Sequence, residues 1–198
     1  MKYIDHSPKH PFVNVLIADG KYEVRILNRV VQKFQTDNVS LFSPATPLGG
    51  QKGLVSVLNV LKVLTDKFSN SNFLIVIDRE HVSNTAQIMD EVKKFGIVPM
   101  DEDKTEYYFK AKVGQKMINV YVTIQGMKKN IEEEVSILIQ QTYAQEISPD
   151  KDKIRDFLNT KNKNVESLID DSNLPKLKKS FPCLIQVLEC ISNKHREV

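Results

Sequence analysis

The chain has 198 residues, 41% hydrophobic and 27% charged, with 28 Lys and Arg against 25 Asp and Glu and a formal net charge of +3. This composition excludes a disordered chain, and so small a net charge gives no global signature of nucleic-acid binding. No apolar stretch approaches the roughly 18 residues of a membrane span and the N-terminal segment has no apolar signal region, so we expect a cytoplasmic protein with no membrane partner.

Three strand–helix units are predicted in the first half of the chain. Residues 12–18, 39–43 and 73–78 are short apolar runs, which are typical of strands buried on both faces. Helical apolar spacing follows each of them, after Gly20, over 54–68 and between Asn84 and Gly96. Such alternation indicates parallel strands joined by right-handed crossovers.

The pattern changes in the second half. Residues 106–113 and 117–124 are rich in β-branched and aromatic residues and flank a short turn, which predicts a β-hairpin. Helices are predicted from Asn130, over residues 151–160 and 164–171, and from Pro175, with a kink or restart at Pro182. Cys183 and Cys190 share the last helix at a spacing that one disulfide does not bridge, so we expect reduced thiols.

These elements define an α/β fold. We expect a Rossmann-like parallel sheet of about four strands with flanking helices, an added β-hairpin inserted in the sheet or at its edge, and a C-terminal helical segment. No linker is visible, so residues 1–198 are predicted to form a single domain, with a core over 12–145 and a helical extension over 148–198.

Acidic residues fall where the first and third predicted strands end. Asp19 follows the first strand, and Asp78 and Glu80 follow the third. Ligands of parallel α/β sheets bind outside the carboxyl ends of the strands, and residues i and i+2 leaving a strand point the same way. Several carboxylates at one crevice repel each other unless a cation lies between them, and oxygen-only ligands favour Mg²⁺. The alternative is that these acids are solvated loop residues.

Three segments carry a family resemblance. VLIADGKYEVRIL (15–27) resembles the first motif of Toprim domains, in which a strand ends in an acid–Gly pair before a helix. FLIVIDREH (73–81) resembles the second motif, a strand that ends in Asp-x-Asp. GMKKNIEEEV (126–135) is similar to the acidic helix start of the OLD-like nucleases and their small stand-alone relatives. The resemblance covers about residues 12–145 and implies the Toprim fold with Mg²⁺-dependent phosphodiester chemistry on nucleic acid.

The resemblance also implies residue roles. Asp78 and Glu80 would hold Mg²⁺ or Mn²⁺, and Asp19 would act as a general base or as a third metal ligand. These three acids are the predicted catalytic residues. Glu132 is the predicted further metal ligand, because one acid of this helix start completes the site in OLD-like proteins. The helix dipole accounts equally well for acids at a helix N-terminus.

Five residues are predicted to contact nucleic acid. Gly20 would let the backbone approach the substrate closely, and His81 follows the second motif. Lys52 belongs to a Gly-rich loop at the predicted crevice, and Lys128 and Lys129 precede the acidic helix. Ordinary turns and exposed loop residues explain the same pattern without a ligand.

Two departures from the family pattern keep other functions open. The family's first acid is usually Glu where this chain has Asp19, and its second motif ends in Asp where this chain has Glu80. The alternative function is a catalytically degenerate Toprim-like module that binds nucleic acid or protein, with a second copy of the chain or a separate ATPase as partner. A receiver-like regulatory domain is a third hypothesis, although the expected Lys after the last strand is not present at Gln125-Gly126.

Overall fold

The computed structural model describes residues 1–4, 12–18, 20–33, 39–43, 53–68 and 70–195. In these residues a mixed, mostly parallel sheet is flanked by helices on both faces, which confirms the α/β, Rossmann-like fold expected from the sequence. No helix within the described ranges has the length and hydropathy of a membrane span.

The described strands form one seven-stranded sheet in the order β1-β3-β2-β4-β7-β6-β5. Pairing is parallel from β1 through β7 and antiparallel for β7–β6 and β6–β5. The strands are β1 (Lys2–Ile4), β2 (Phe12–Ile17), β3 (Ser40–Phe42), β4 (Asn72–Asp78), β5 (Ile97–Pro99), β6 (Tyr108–Val113) and β7 (Lys116–Gln125).

The sheet is larger than the sequence predicted. Five strands are parallel instead of about four, and β1 and β5 were not expected because three residues are too few for an apolar pattern. The hairpin of β6 and β7 is continuous with the parallel part, since β7 pairs with β4 from Asn72↔Asn119 to Asp78↔Gln125. The second hairpin strand therefore lies inside the sheet, between β4 and β6.

The helices match the predicted segments closely. At Pro182 a new helix begins, which is the restart predicted there as the alternative to a kink. Both cysteine thiols are free and half-buried on the last helix. The helices are α1 (Lys21–Gln32), α2 (Leu54–Phe68), α3 (Thr85–Lys93), α4 (Ile131–Tyr143), α5 (Lys151–Thr160), α6 (Val165–Asp171), α7 (Leu174–Ser180) and α8 (Pro182–Lys194).

Two hydrophobic clusters cover the two faces of the sheet. One contains Val15 and Val76 together with the inward side chains of α1 and of α4 to α8. The other contains Leu16 and Ile75 together with those of α2 and α3. The alternation of neighbouring residues between the clusters is the period of two expected of strands buried on both faces.

The order of the strands creates a topological switch point. From β2 the chain crosses by α1 to β3 on one side, and then by α2 to β4 on the other side of β2. The two crossover helices lie on opposite faces, so a crevice forms between the carboxyl ends of β2 and β4. This is where the fold positions a ligand site.

Candidate functional site

The first predicted acid follows β2 at the switch point. Asp19 lies outside the described residues, as does Lys52, so both remain sequence predictions. The strand leads directly to this point, where the Ala18 N–H donates to the Val76 carbonyl oxygen of β4 over 3.0 Å. Gly20 precedes α1 with φ of 150°, a conformation that L side chains rarely adopt, so this position requires glycine.

Asp78 ends β4 and is buried, with 5% of the residue exposed. Its Oδ1 accepts a hydrogen bond of 3.3 Å from the backbone N–H of Ile131, the first residue of α4. The preceding residue, Asn130, makes no side-chain capping bond, so a carboxylate from a neighbouring strand serves that helix end. The positive end of the helix stabilises the negative charge of Asp78.

Glu134, one turn further along α4, is more deeply buried, with 2% exposed. Burial, followed by the nearby Asp78 carboxylate, raises the pKa of Glu134 to about 8, although the Gly126 N–H bonded to it acts in the opposite direction. Its Oε2 is buried and has no hydrogen-bond partner among the described residues. A cation near Glu134 would favour its ionised form.

Gln125 lies beside Asp78 at the end of β7. The two residues are partners in the parallel register, so their side chains emerge on the same face of the sheet. Gln125 is fully buried, and neither its amide oxygen nor its amide nitrogen has a hydrogen-bond partner within the described part of the chain. Buried amides are normally satisfied, so this one is suited to a ligand or a water molecule.

We call Asp78, Gln125 and Glu134 the switch-point cluster. Glu23, in the first turn of α1, is a further buried carboxylate. The Glu23 Oε2 atom lies 3.8 Å from the position that a Cβ on Gly20 would take, so Glu23 faces the start of the helix.

Glu80 occupies a different environment. A turn replaces the strand after Asp78, closed by the His81 N–H donating to the Asp78 carbonyl oxygen over 3.1 Å. The side chain of Glu80 is 39% exposed, with its carboxylate 3.8 Å from Lys129 Nζ and 3.8 Å from His81 Nε2. The expectation that Asp78 and Glu80 point the same way assumed extended backbone, and the turn removes that basis.

The three glutamates at the start of α4 also differ. Glu133 Oε2 accepts from the backbone N–H groups of Lys128 at 2.7 Å and Lys129 at 3.2 Å, which holds the turn before the helix. Glu132 is half-exposed and contributes to raising the pKa of Tyr22 on α1. The Asp78 carboxylate acts on the pKa of Glu134, whereas the sequence prediction preferred Glu132 as the further metal ligand.

Glu134 had a signal in the sequence. The inward face of α4 contains Ile131, Val135 and Leu138, and Glu134 lies three residues after the first and four before the last. Helical spacing of i, i+3 and i+7 therefore places it on the buried face. Gln125 had a weaker signal, as the last residue of a buried strand.

The oxygen atoms of the switch-point cluster bear on whether a divalent cation fits there. Within the described ranges, no group of three or more His, Cys, Asp and Glu side chains is arranged to hold a metal ion. The switch-point cluster offers carboxylate oxygens from Asp78 and Glu134 and an amide oxygen from Gln125, the ligand chemistry of Mg²⁺ and Mn²⁺. The unpartnered Glu134 Oε2 and Gln125 amide fit such an ion.

Comparisons of the chain with protein-family models, with curated proteins and with solved structures give no match. The resemblance to Toprim domains therefore stays a prediction from the motifs.

Proposed function

We propose that this chain binds Mg²⁺ or Mn²⁺ at the switch-point cluster and acts on phosphodiester bonds of nucleic acid, as a nuclease of the Toprim-like kind. The observation that carries the proposal is the burial of Asp78, Gln125 and Glu134 at the carboxyl end of β4 and β7, with unpartnered oxygen atoms on two of them. Unpartnered polar groups are costly inside a protein, and a functional ligand explains them.

Each residue of the site has a separate role in this proposal. Asp78 and Glu134 hold the cation through carboxylate oxygens, and Gln125 holds it through its amide oxygen. The bound ion would offset negative charge on the phosphate oxygens of the substrate. Asp19 follows the neighbouring strand and, in this proposal, accepts the proton of the attacking water. The ammonium groups of Lys128 and Lys129 attract the phosphate backbone at the rim.

A second candidate is the catalytically degenerate interaction module. Two observations favour it. Asp78 accepts a hydrogen bond from the start of α4, and Glu80 is ion-paired with Lys129. Both acids therefore stabilise the fold without any cation, as expected of a site that retains its structure after losing its chemistry.

Cation binding is the first test. Calorimetric titration with Mg²⁺ and Mn²⁺ compares the wild type with Asp78→Asn and Glu134→Gln, and with Asp90→Asn as a control that removes one exposed charge from α3. We expect saturable cation binding by the wild type and by the control. Both cluster variants should bind the cation with an affinity lower by about tenfold or more. Equal binding by wild type and both cluster variants contradicts the proposal.

Cleavage is the second test. Plasmid and single-stranded DNA are incubated with Mn²⁺ and the wild type, Asp78→Asn or Asp90→Asn. Cleavage that is lost only in Asp78→Asn supports the nuclease. Asp78-dependent cation binding without cleavage of either DNA favours the degenerate module, and cleavage retained by Asp78→Asn indicates a contaminant.

A further inference from the structure

A cavity of about 210 Å³ lies between α1, α5 and α6, apart from the switch-point cluster. Its apolar lining includes Ile154, Leu158 and Val165, all buried. The ring of Tyr22, from the first turn of α1, forms part of the wall. The volume is below the roughly 300–1,000 Å³ of drug-sized ligand sites, so the cavity takes one small molecule or the end of a larger one.

The charged side chains around the cavity are predominantly cationic. Arg25, Lys151, Arg155 and Lys163 line it, against the single carboxylate of Glu166. Arginine and lysine side chains at a concave surface are typical of phosphate recognition. A guanidinium group binds phosphate through two parallel hydrogen bonds, and an ammonium group attracts it as a point charge. The lining therefore favours an anion with an apolar part.

Lys151 has the charge most available to a ligand. Its Nζ lies 5.0 Å from the centre of the Tyr22 ring, and no ion pair joins it to a carboxylate in the described part of the chain. Arg155 pairs with Asp152 at 3.0 Å and with Asp156 at 3.6 Å. Arg25 pairs with Glu166 at 3.4 Å, and Lys163 pairs with Asp171 at 2.7 Å. Exposed pairs of this kind contribute about 0–1 kcal/mol, so a phosphate can compete for these cations.

Tyr22 supplies a second feature of a ligand site. Its hydroxyl oxygen is buried and has no hydrogen-bond partner among the residues that the structure describes. Burial, followed by the charge of Glu132, raises the pKa of this phenol above its ordinary value, so the hydroxyl keeps its proton and can donate. The aromatic ring offers a face on which a planar group can stack once the Lys151 ammonium, which lies over it, moves to the phosphate.

We infer that this cavity binds a phosphate monoester that carries a small planar group, which is the chemistry of a mononucleotide. The phosphate is recognised by Lys151 and Arg155, and the planar group packs on the Tyr22 ring and the apolar lining. Binding requires no cation and does not depend on the function proposed above. The nucleotide can be free or the terminal nucleotide of a strand.

The position of the cavity connects it to the switch point. Tyr22 lines the cavity, and the next residue, Glu23, faces Gly20 at the start of the same helix. The first turn of α1 therefore joins the cavity wall to the point where the chain leaves β2.

The test is an NMR titration in EDTA with AMP, adenosine and inorganic phosphate, which follows the side-chain amides of Asn159 and Asn164 at the cavity. The variant Lys151→Gln/Arg155→Gln is compared with Lys153→Gln/Lys179→Gln, which removes the same charge from exposed positions outside the cavity lining. We expect the wild type to bind AMP saturably and to bind adenosine with an affinity lower by about tenfold or more. The affinity for AMP should fall by a similar factor in the cavity variant and stay unchanged in the control variant. Inorganic phosphate should compete with AMP.

Two further ligands distinguish the sources of the nucleotide. A tetranucleotide with a 5′-phosphate that binds more tightly than AMP and than its unphosphorylated form identifies a strand end, and AMP as the tighter ligand identifies a free nucleotide. Equal binding of AMP and adenosine overturns the inference. An equal loss of AMP affinity in both double variants also overturns it, as does the absence of saturable AMP binding up to about 5 mM. Since no divalent cation is present, failure of the switch-point cluster to bind one leaves this result unaffected.

Discussion

Glu134 and Asp78 place two carboxylates in a nearly water-free environment. Burial is the main reason that the pKa of Glu134 rises to about 8, and the neighbouring Asp78 carboxylate adds to it. At neutral pH and without a cation, Glu134 therefore carries a proton. Its ionised form becomes favourable when a positive charge is close, which couples cation binding to proton release.

This burial predicts how stability depends on pH. The pKa of Glu134 in the folded protein, about 8, is higher than its ordinary value of 4.5. The folded state therefore holds this proton more tightly, and its contribution to stability is complete below pH 4.5 and is lost as pH rises to 8. Glu134→Gln, which resembles the protonated acid, should be more stable than the wild type at pH 9 by up to about 5 kcal/mol.

Urea unfolding in EDTA between pH 5 and 9 checks this, with Glu102→Gln as a control at an exposed carboxylate. The free energies of unfolding of wild type and Glu134→Gln should be close at pH 5 and diverge towards pH 9. Parallel curves for the two proteins would show that Glu134 ionises normally.

The sequence indicated some of these residues for physical reasons that can be named. Asp78 was found because an acid after a buried apolar run stands at a strand end, and that rule needs only local sequence. Gln125 was not found, because its importance depends on the register between β4 and β7, which pairs it with Asp78 across more than 40 residues of sequence. The environment of Glu80 depends on a turn that the resemblance to the second motif did not reveal.

At the scale of elements, the turn between β7 and α4 is set by Gly126. Its φ is +83°, and a Cβ at this position would lie 2.4 Å from the Asn130 carbonyl oxygen. The same residue accepts a hydrogen bond from Arg79 Nε at 2.9 Å and donates its N–H to Glu134. The turn thus joins the end of β7 to the turn after β4, through Arg79, and to α4, through Glu134.

Gly114, in the hairpin turn between β6 and β7, provides a matched control for Gly126. Its φ of +59° is also positive, but a Cβ there would meet nothing within 4 Å. Gly114→Ala should lower the free energy of unfolding by about 1 kcal/mol, and Gly126→Ala by roughly 2 kcal/mol more, because backbone atoms must move. Equal losses in denaturant unfolding would show that the clash relaxes without cost.

An asparagine network links the amino-terminal ends of the central strands. Asn14 Nδ2 donates to the Asn72 carbonyl oxygen at 3.0 Å, and Asn70 Nδ2 donates to Asn14 Oδ1 at 3.0 Å. Asn119 Nδ2 donates to Asn72 Oδ1 at 2.8 Å, which extends the network from β2 through β4 to β7. These bonds satisfy polar groups at the edge opposite the switch point.

Removing Asn14 tests how much this network contributes. Asn14 is fully buried, and Asn14→Ala leaves the amide of Asn70 and the carbonyl of Asn72 without these bonds. The expected loss in free energy of unfolding is about 2 kcal/mol. Asn193→Ala, at an exposed position on α8, should change it by less than about 0.5 kcal/mol. A similar small effect at Asn14 would mean that water replaces the lost bonds.

Element boundaries were predictable where capping and periodicity agree. The helices α5 and α6 begin after Asp150 and Asn164, whose side chains accept from backbone N–H groups of the first turn, and this signal is local. The edge strands β1 and β5 were missed because their three residues gain strand structure only by pairing with β3 and β6. Tertiary pairing, and not local preference, decides such segments.

At the scale of the whole molecule, the helical extension and the sheet share one core. The hydrophobic cluster on one face of the sheet contains Val15 and Val76 as well as Leu168 of α6, Leu177 of α7 and Leu188 of α8. A surface shared in this way predicts that residues 148–198 do not unfold separately from the sheet. The sequence prediction of a single domain leads to the same expectation, since no linker interrupts the chain.

Leu188→Ala tests this expectation, because Leu188 is fully buried in that cluster. Truncating it should lower the free energy of unfolding by about 2–4 kcal/mol, through lost apolar contact and the cavity left behind. If the sheet and extension unfold together, near-ultraviolet dichroism from the packed tyrosines Tyr108 and Tyr121 and far-ultraviolet dichroism from the helices should shift to the same new midpoint. Val98→Ala, at a side chain that is 59% exposed on β5, should leave both midpoints nearly unchanged. Two separate transitions, with only the helical signal shifted by Leu188→Ala, would instead show that the extension is an independent folding unit attached to the sheet.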